Sequence, residues 1–250
     1  MDDRILIVPA MWAPGMGTVE RWPSIRALLA ELRAFLPVDV YQWSSLRGLD
    51  REVGWRANAD HFANAIRGCH HILVLDSGGA ESLLWAISRA PEQPRSLIMV
   101  GFLASPEKLE ATGQHSVAGA MSVNRQVAVT NSAQILRLLM QGADEQYLAE
   151  QTRLMERDID QARLAALMTP GDPGSQSQFT LTQPSLHLAM ALPIAGAEES
   201  IEIYRTLVPG TRTDRLESWP LKLHEEESGK ELAGKVVPFL REVISQRSAE

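Results

Sequence analysis

At 250 residues, 45% of them hydrophobic and 22% charged, the chain is large and apolar enough for one α/β domain with a sizeable core, which excludes a disordered or fibrous protein. A formal net charge of -7 without a compact basic cluster excludes a nucleic-acid-binding surface. The single cysteine, Cys69, excludes an intrachain disulfide framework and reads as a small core residue near the start of a strand.

In chain order, the continuously apolar Ile5-Leu6-Ile7-Val8 predicts a buried parallel strand ending at Pro9, followed by a loop from Pro9 to Gly17 that contains Met11, Trp12 and Met16. Ile25, Leu28, Leu29, Leu32 and Phe35 share one helical face, and Val38 to Trp43 predicts a second strand. Trp55, Ala59, Phe62 and Ile66 recur at one-turn intervals as an amphipathic helix. Ile72 to Asp76 then forms a short strand, Ser77-Gly78-Gly79 turns the chain, and helical spacing resumes at Leu83 and Leu84. A small polar residue on such a turn is exposed above a parallel sheet, with the glycines permitting the sharp bend. Ser77 is therefore the first candidate nucleophile, with Asp76 beside it as a rival.

Ser96 to Phe102 predicts another strand. From Ala104 to Gln183 the pattern becomes helical: one helix around Ile135 to Met140, and one or two more from Tyr147 to Met168. Thr169 to Ser177 reads as a flexible exit. Leu186 to Leu192 restores a strand, interrupted by His187; a helix starting at Glu198 or Glu199 follows, and Asp214 to Trp219 is the last strand. Pro220 to Glu227 is a loop holding His224, and Leu232, Val236, Val237, Phe239, Leu240, Val243 and Ile244 form a closing amphipathic helix. No run of apolar residues approaches the roughly 18 needed to cross a bilayer, and the first residues lack the basic and apolar segments of a signal peptide. The expected location is cytoplasmic, with no membrane partner.

This order resembles the α/β-hydrolase superfamily over roughly the whole chain. The residues that carry the resemblance are the early strand and loop, the strand-Ser77-Gly78-Gly79-helix unit in place of the nucleophile elbow, the helical insertion, and His224 shortly before a terminal helix. The elbow pattern G-x-S-x-G reads here Leu75-Asp76-Ser77-Gly78-Gly79, with Leu75 where a small residue is usual. The resemblance implies a three-layer α/β-hydrolase fold with a mostly parallel central sheet, residues 1–103 and 184–250 forming the core and 104–183 an inserted helical cap.

It also implies that His224 acts as base for Ser77, with the backbone N–H groups of Met11 and Gly78 as oxyanion hole. The loop after Leu192 contains no acid, so Glu198, Glu199 and Glu107 all stand as candidates to orient the histidine. Shifted by one residue, Asp76-Ser77-Gly78-Gly79 is similar to the aspartate-nucleophile elbow of epoxide hydrolases and haloalkane dehalogenases, with Ser77 in place of their aromatic residue. Trp12, Met140, Met155 and Met168 are candidates to line an apolar substrate site.

The adjacent His70 and His71 should point to opposite sides of a strand and, with His61, form no ligand set, so neither a metal nor another cofactor is expected. The implied activity is a serine hydrolase acting on a small or medium apolar carboxylic ester or thioester. Acyl transfer or cyclisation, Asp76-based chemistry, and a non-catalytic ligand-binding homologue are the alternatives.

Overall fold

The computed structural model describes residues 3–9, 19–41, 60–75, 80–90, 92–101, 120, 124–159, 180–190, 197–219 and 222–247. Six strands form one sheet: β1 (Ile5–Val8), β2 (Val38–Val40), β3 (His71–Val74), β4 (Ser96–Val100), β5 (Ser185–Met190) and β6 (Arg212–Leu216). Their order is β2-β1-β3-β4-β5-β6, and every pairing is parallel. The helices are α1 (Pro23–Arg33), α2 (Ala80–Arg89), α3 (Arg125–Leu139), α4 (Glu145–Asp158), α5 (Ala197–Leu207) and α6 (Glu226–Arg247), with helical turns also at 60–65 and a short 3₁₀ turn at Val19–Arg21.

Successive strand residues point to opposite faces, and the two faces bury different sets of side chains. Ile5, Ile7, Leu73, Leu75, Ile98, Val100, Leu186 and Leu188 enter one core with α1 and α6, while Leu6, Val8, Ile72, Val74, Leu97 and Met99 enter a second core with Leu83, Leu84 and Ile87 of α2 and Tyr204 and Leu207 of α5. This is a three-layer arrangement with helices on both faces of a parallel sheet. The inner strands β1, β3 and β4 read as largely apolar runs because both faces are covered.

Helices α3 and α4 lie between β4 and β5 in sequence and share the first core: Ala128, Val129, Leu136, Leu139, Leu148 and Met155 belong to the same cluster as Ile7 and Leu240. Each is capped at its start, α3 by Asn124, whose side chain accepts from the N–H of Gln126 and Val127, and α4 by Asp144, which accepts from Tyr147 N–H at 2.7 Å. Arg125 ties the pair together by donating to the carbonyls of Glu156 and Ile159. Among the described residues, no helix is long and apolar enough to cross a membrane.

Several expected boundaries shift. The last strand begins at Arg212 and ends at Leu216 instead of running from Asp214 to Trp219, and α6 starts at Glu226, inside the stretch read as loop. Helix α3 starts ten residues before Ile135, at Arg125. His71 opens β3 instead of preceding it and is fully buried, its Nδ1 2.9 Å from Ser96 Oγ. The expected divergence of His70 and His71 gives way to a shared partner: Asp3 lies 3.6 Å from His70 Nδ1 and 4.0 Å from His71 Nε2, and also pairs with Arg95. This polar group sits at the amino edge of the sheet, where Asp3 just precedes β1. Cys69 is half-buried beside the second core, and burial is the main cause raising its thiol above the ordinary value, with Asp39 adding and Arg4 opposing.

Candidate active site

In a parallel sheet every strand exits at the same edge, so the connections after β1, β3, β4, β5 and β6 all leave from the carboxyl edge. Strand order reverses between β1 and β3, because the chain proceeds from β1 outward to β2 and then returns to β3 and onward to β6. Ligand sites of open α/β sheets form in the crevice at such a reversal. The two connections that flank it are residues 9–18 and 75–79, which contain Met11, Trp12, Asp76, Ser77 and Gly78. All five of those residues lie outside the described residues, as do Glu107 and Met168.

Of residues 75–79 only Leu75 is described, and its packing accounts for a large residue at this position. Its N–H donates to Val8 O at 2.9 Å, continuing the β1–β3 ladder by one residue, and its side chain is 2% exposed in the first core. Burial of a leucine contributes about 1.5–3 kcal/mol, so Leu75 is a packing residue at the end of the β1–β3 ladder.

His224 follows β6 in a tight turn, Lys222 to Glu225, closed by a hydrogen bond from Glu225 N–H to Lys222 O at 2.9 Å. The turn is held from two sides through Leu223, which is fully buried. The first turn of α1 has an N–H group at Ser24 that no cap side chain satisfies, since Trp22 occupies the cap position; Leu223 O accepts it at 3.2 Å. At the other end, Leu223 N–H donates to Leu139 O at 3.1 Å, satisfying a terminal carbonyl of α3, and Met140 forms a β-bridge with Lys222. The sequence thus uses two helix ends with unmet hydrogen-bonding groups to fix the position of one loop.

The His224 side chain is 14% exposed. Its Nε2 lies 3.6 Å from Glu225 Oε1, and its Nδ1 is buried with no hydrogen-bond partner among the described residues. Tyr147 of α4 stands over it, with ring centroids 6.5 Å apart. Burial is the largest cause raising the Tyr147 phenol above its ordinary value; Arg21 and Arg26 pull it down and Glu150 adds to the rise. Helix α4 therefore brings a half-buried aromatic ring beside the histidine, and the charges of Arg21, just before α1, and Arg26, in its first turn, act on the Tyr147 phenol. Tyr147 was read in the sequence only as part of a helical pattern, and Glu225 only as loop. Neither had a signal beyond its neighbours, because both contacts depend on how the turn at 222–225 meets α4.

Glu198 and Glu199 lie at the second and third positions of α5, which begins beyond the carboxyl end of β5. Met140 and Met155 are 1% and 0% exposed and pack within the first core. His61 and Tyr41 form a hydrogen-bonded pair at the end of β2. A cavity of about 320 Å³, lined by Ser88, Gln93, Thr180, Leu181, Thr182 and Gln183, lies at the amino edge of the sheet, away from His224.

No model of a known protein family matches the sequence, and no curated protein matches it. Solved structures do. A hydrolase from Oleispira antarctica superposes with a TM-score of 0.63 at 14% identity, covering 96% of this chain and 92% of its own. The thioesterase of the prodiginine biosynthetic pathway in Streptomyces coelicolor gives 0.64 at 19% identity over 94% of this chain and 85% of its own. Epoxide hydrolase I of potato, Solanum tuberosum, gives 0.64 at 13% identity over 97% and 93%. The chain has the α/β-hydrolase fold, with a parallel central sheet and inserted helical elements.

Proposed function

We propose that the protein is a serine hydrolase in which Ser77 attacks the carbonyl of a small or medium apolar carboxylic ester or thioester and His224 is its general base. The observation that carries this reading is the setting of His224: its turn is clamped by the backbone hydrogen bonds of Leu223 and Glu225 at the carboxyl edge of the sheet, with a buried ring nitrogen that no described residue hydrogen-bonds. Further support comes from connectivity, because the segment carrying Ser77 joins β3 to α2 beside the strand-order reversal.

In this reading His224 removes the hydroxyl proton as Ser77 attacks, the backbone N–H groups of Met11 and Gly78 stabilise the oxyanion, and the proton passes to the leaving alcohol or thiol. The acyl-enzyme is then hydrolysed by water, with the histidine again as base. No cofactor is needed. The half-buried Tyr147 ring offers an apolar surface beside the base, which suits an acyl chain better than a highly charged group.

An activated phosphonate probe combined with a panel of esters and thioesters tests the assignment. Labelling at Ser77, lost in Ser77→Ala, with turnover lowered about 10³-fold or more in both Ser77→Ala and His224→Ala, is the expected result. Undiminished turnover in Ser77→Ala would refute it. The fold likeness to the potato epoxide hydrolase favours a second reading, with Asp76 as nucleophile on carbon; an ester trapped on Asp76 during single turnover would select it.

A further inference from the structure

We infer that the cavity at the amino edge of the sheet is a second ligand site, built for a small neutral polyhydroxy compound about the size of a sugar ring. The site is independent of the proposed reaction, since neither Ser77 nor His224 contributes to it.

Chain direction separates this cavity from the crevice at the strand-order reversal. Parallel strands are all entered at the amino edge, so α2, which follows β3, ends there, and the chain enters β4 and β5 there as well. Ser88 lies in the last turn of α2, Gln93 in the connection to β4, and residues 180–183 on the approach to β5; together they bound about 320 Å³. That volume is at the lower end of the roughly 300–1,000 Å³ found for small-molecule sites. The walls are fixed by the fold. Leu181 is 2% exposed in the second core, and its N–H donates to Leu207 O, at the end of α5, at 2.8 Å. Gln93 Nε2 donates to Ile87 O at 2.5 Å and to Ala90 O at 3.2 Å, satisfying carbonyls at the end of α2.

The lining dictates the ligand class. None of the six residues is ionisable, so a charged ligand would give up hydration with no counter-charge in return. The carboxyl end of α2, the negative end of its dipole, disfavours an anion further. No aromatic ring lines the cavity, so a flat heteroaromatic ligand has nothing to stack on. What the walls offer is hydrogen bonding of both kinds. The hydroxyls of Ser88, Thr180 and Thr182 donate and accept, and Gln93, its Nε2 committed to α2, has its Oε1 left as an acceptor. Gln183 Nε2 is a donor that is buried with no hydrogen-bond partner among the described residues. Adjacent hydroxyl groups, each both donor and acceptor, match that set, and Leu181 supplies an apolar contact for their carbon skeleton.

Polyols stabilise any fold by exclusion from its surface, so a local readout is needed. Proton–nitrogen NMR spectra of the full chain, recorded as myo-inositol, glucose or mannitol is added, should show saturable shifts for at least one of the three. The shifts should be confined to the backbone amides of Ser88, Gln93 and residues 180–183 and the side-chain amide of Gln183, with Kd of about 1–10 mM. Gluconate and glucosamine, similar in size but charged, should bind about tenfold more weakly or less. Gln183→Leu removes the buried donor, and Thr182→Val removes an exposed hydroxyl at nearly the same shape; each should weaken binding of the responsive polyol about tenfold. The exposed position keeps the test decisive if Gln183→Leu does not fold. The site is overturned by the absence of local shifts with all three polyols at about 100 mM, by gluconate binding as tightly as the best of them, or by unchanged affinity in Thr182→Val.

Discussion

His187 is a second histidine whose surroundings dictate its charge. It is 1% exposed on β5, its Nε2–H donates to Gly101 O at 2.9 Å, and its ring stacks on Tyr204 with centroids 4.1 Å apart. Burial is the main cause holding its pKa below the ordinary histidine value, assisted by Arg205 and opposed by the bond to Gly101. In the unfolded chain the group titrates near 6.5, so above that pH both states are neutral and the ring contributes no pH dependence. As pH falls below about 6.5 the unfolded state takes up the proton first, and stability is lost at up to about 1.4 kcal/mol per pH unit until the folded pKa is reached. Urea midpoints between pH 7.5 and 5 should fall less steeply in His187→Gln, whose amide can still donate to Gly101 O. Equal slopes in variant and wild type would show that His187 is not the group responsible. The sequence revealed this residue only as an interruption in an apolar strand. Its meaning required knowing that position 187 faces α5, where a tyrosine ring covers it.

Among the described elements, α1 and α6 share the most extensive packing, and it is closed at one point by Gly229. A Cβ built there would lie 1.8 Å from the Ser24 carbonyl oxygen and 2.7 Å from its carbon, both backbone atoms that cannot rotate away. Helix propensity alone would make Gly229→Ala stabilising by up to about 1 kcal/mol. Overpacking wins here, and we expect a net loss of about 2 kcal/mol in urea denaturation. Because Ser24 N–H is bonded to Leu223 O, the same displacement should disturb the histidine turn and lower kcat. A stabilised variant with full activity would contradict both expectations.

The elements that were legible in the sequence are those with two buried faces or a sharp apolar stripe. β1 and β4 were visible as short apolar runs, and α2 was expected from about residue 80 because Leu83 and Leu84 follow a double-glycine turn. β6 was misplaced for a physical reason: as an edge strand reading Arg-Thr-Asp-Arg-Leu it buries only Leu216, while the apolar signal of Trp219 belongs to the turn beyond it. Helix α3 was read short because its first turns bury Ala128, Val129 and Ser132, a weak stripe beside Leu136 and Leu139. For the site, His224 could be singled out by its place before a terminal helix. The approach of Tyr147 to its ring could not, since that contact depends on how the turn at 222–225 meets α4.

For the molecule as a whole, stability should be concentrated in α6 and the inner strands. Leu232, Ala233, Val236, Phe239, Leu240 and Val243 are all buried against the first core, so amides over 232–244 should exchange only on global opening, apart from Pro238, which has none. Hydrogen exchange read by mass spectrometry checks this; fast exchange across 236–243 would mean that α6 does not close the sheet. The amide of Leu223, although in a loop, should be protected with them through its bond to Leu139 O.

That last bond has a consequence for how the protein could be re-engineered. Leu223 is a rivet through three plates, joining α1, the end of α3 and the turn that presents His224. If His224 is the base proposed above, a ligand that pushes α3 and α4 outward drags it along with them, so fit and reactivity are geared together. Exchanging residues 124–159 for another helical pair would change more than preference among substrates: unless the graft returns a carbonyl to the place of Leu139, the base loses its seat, and the chimera should be slow toward large and small substrates alike.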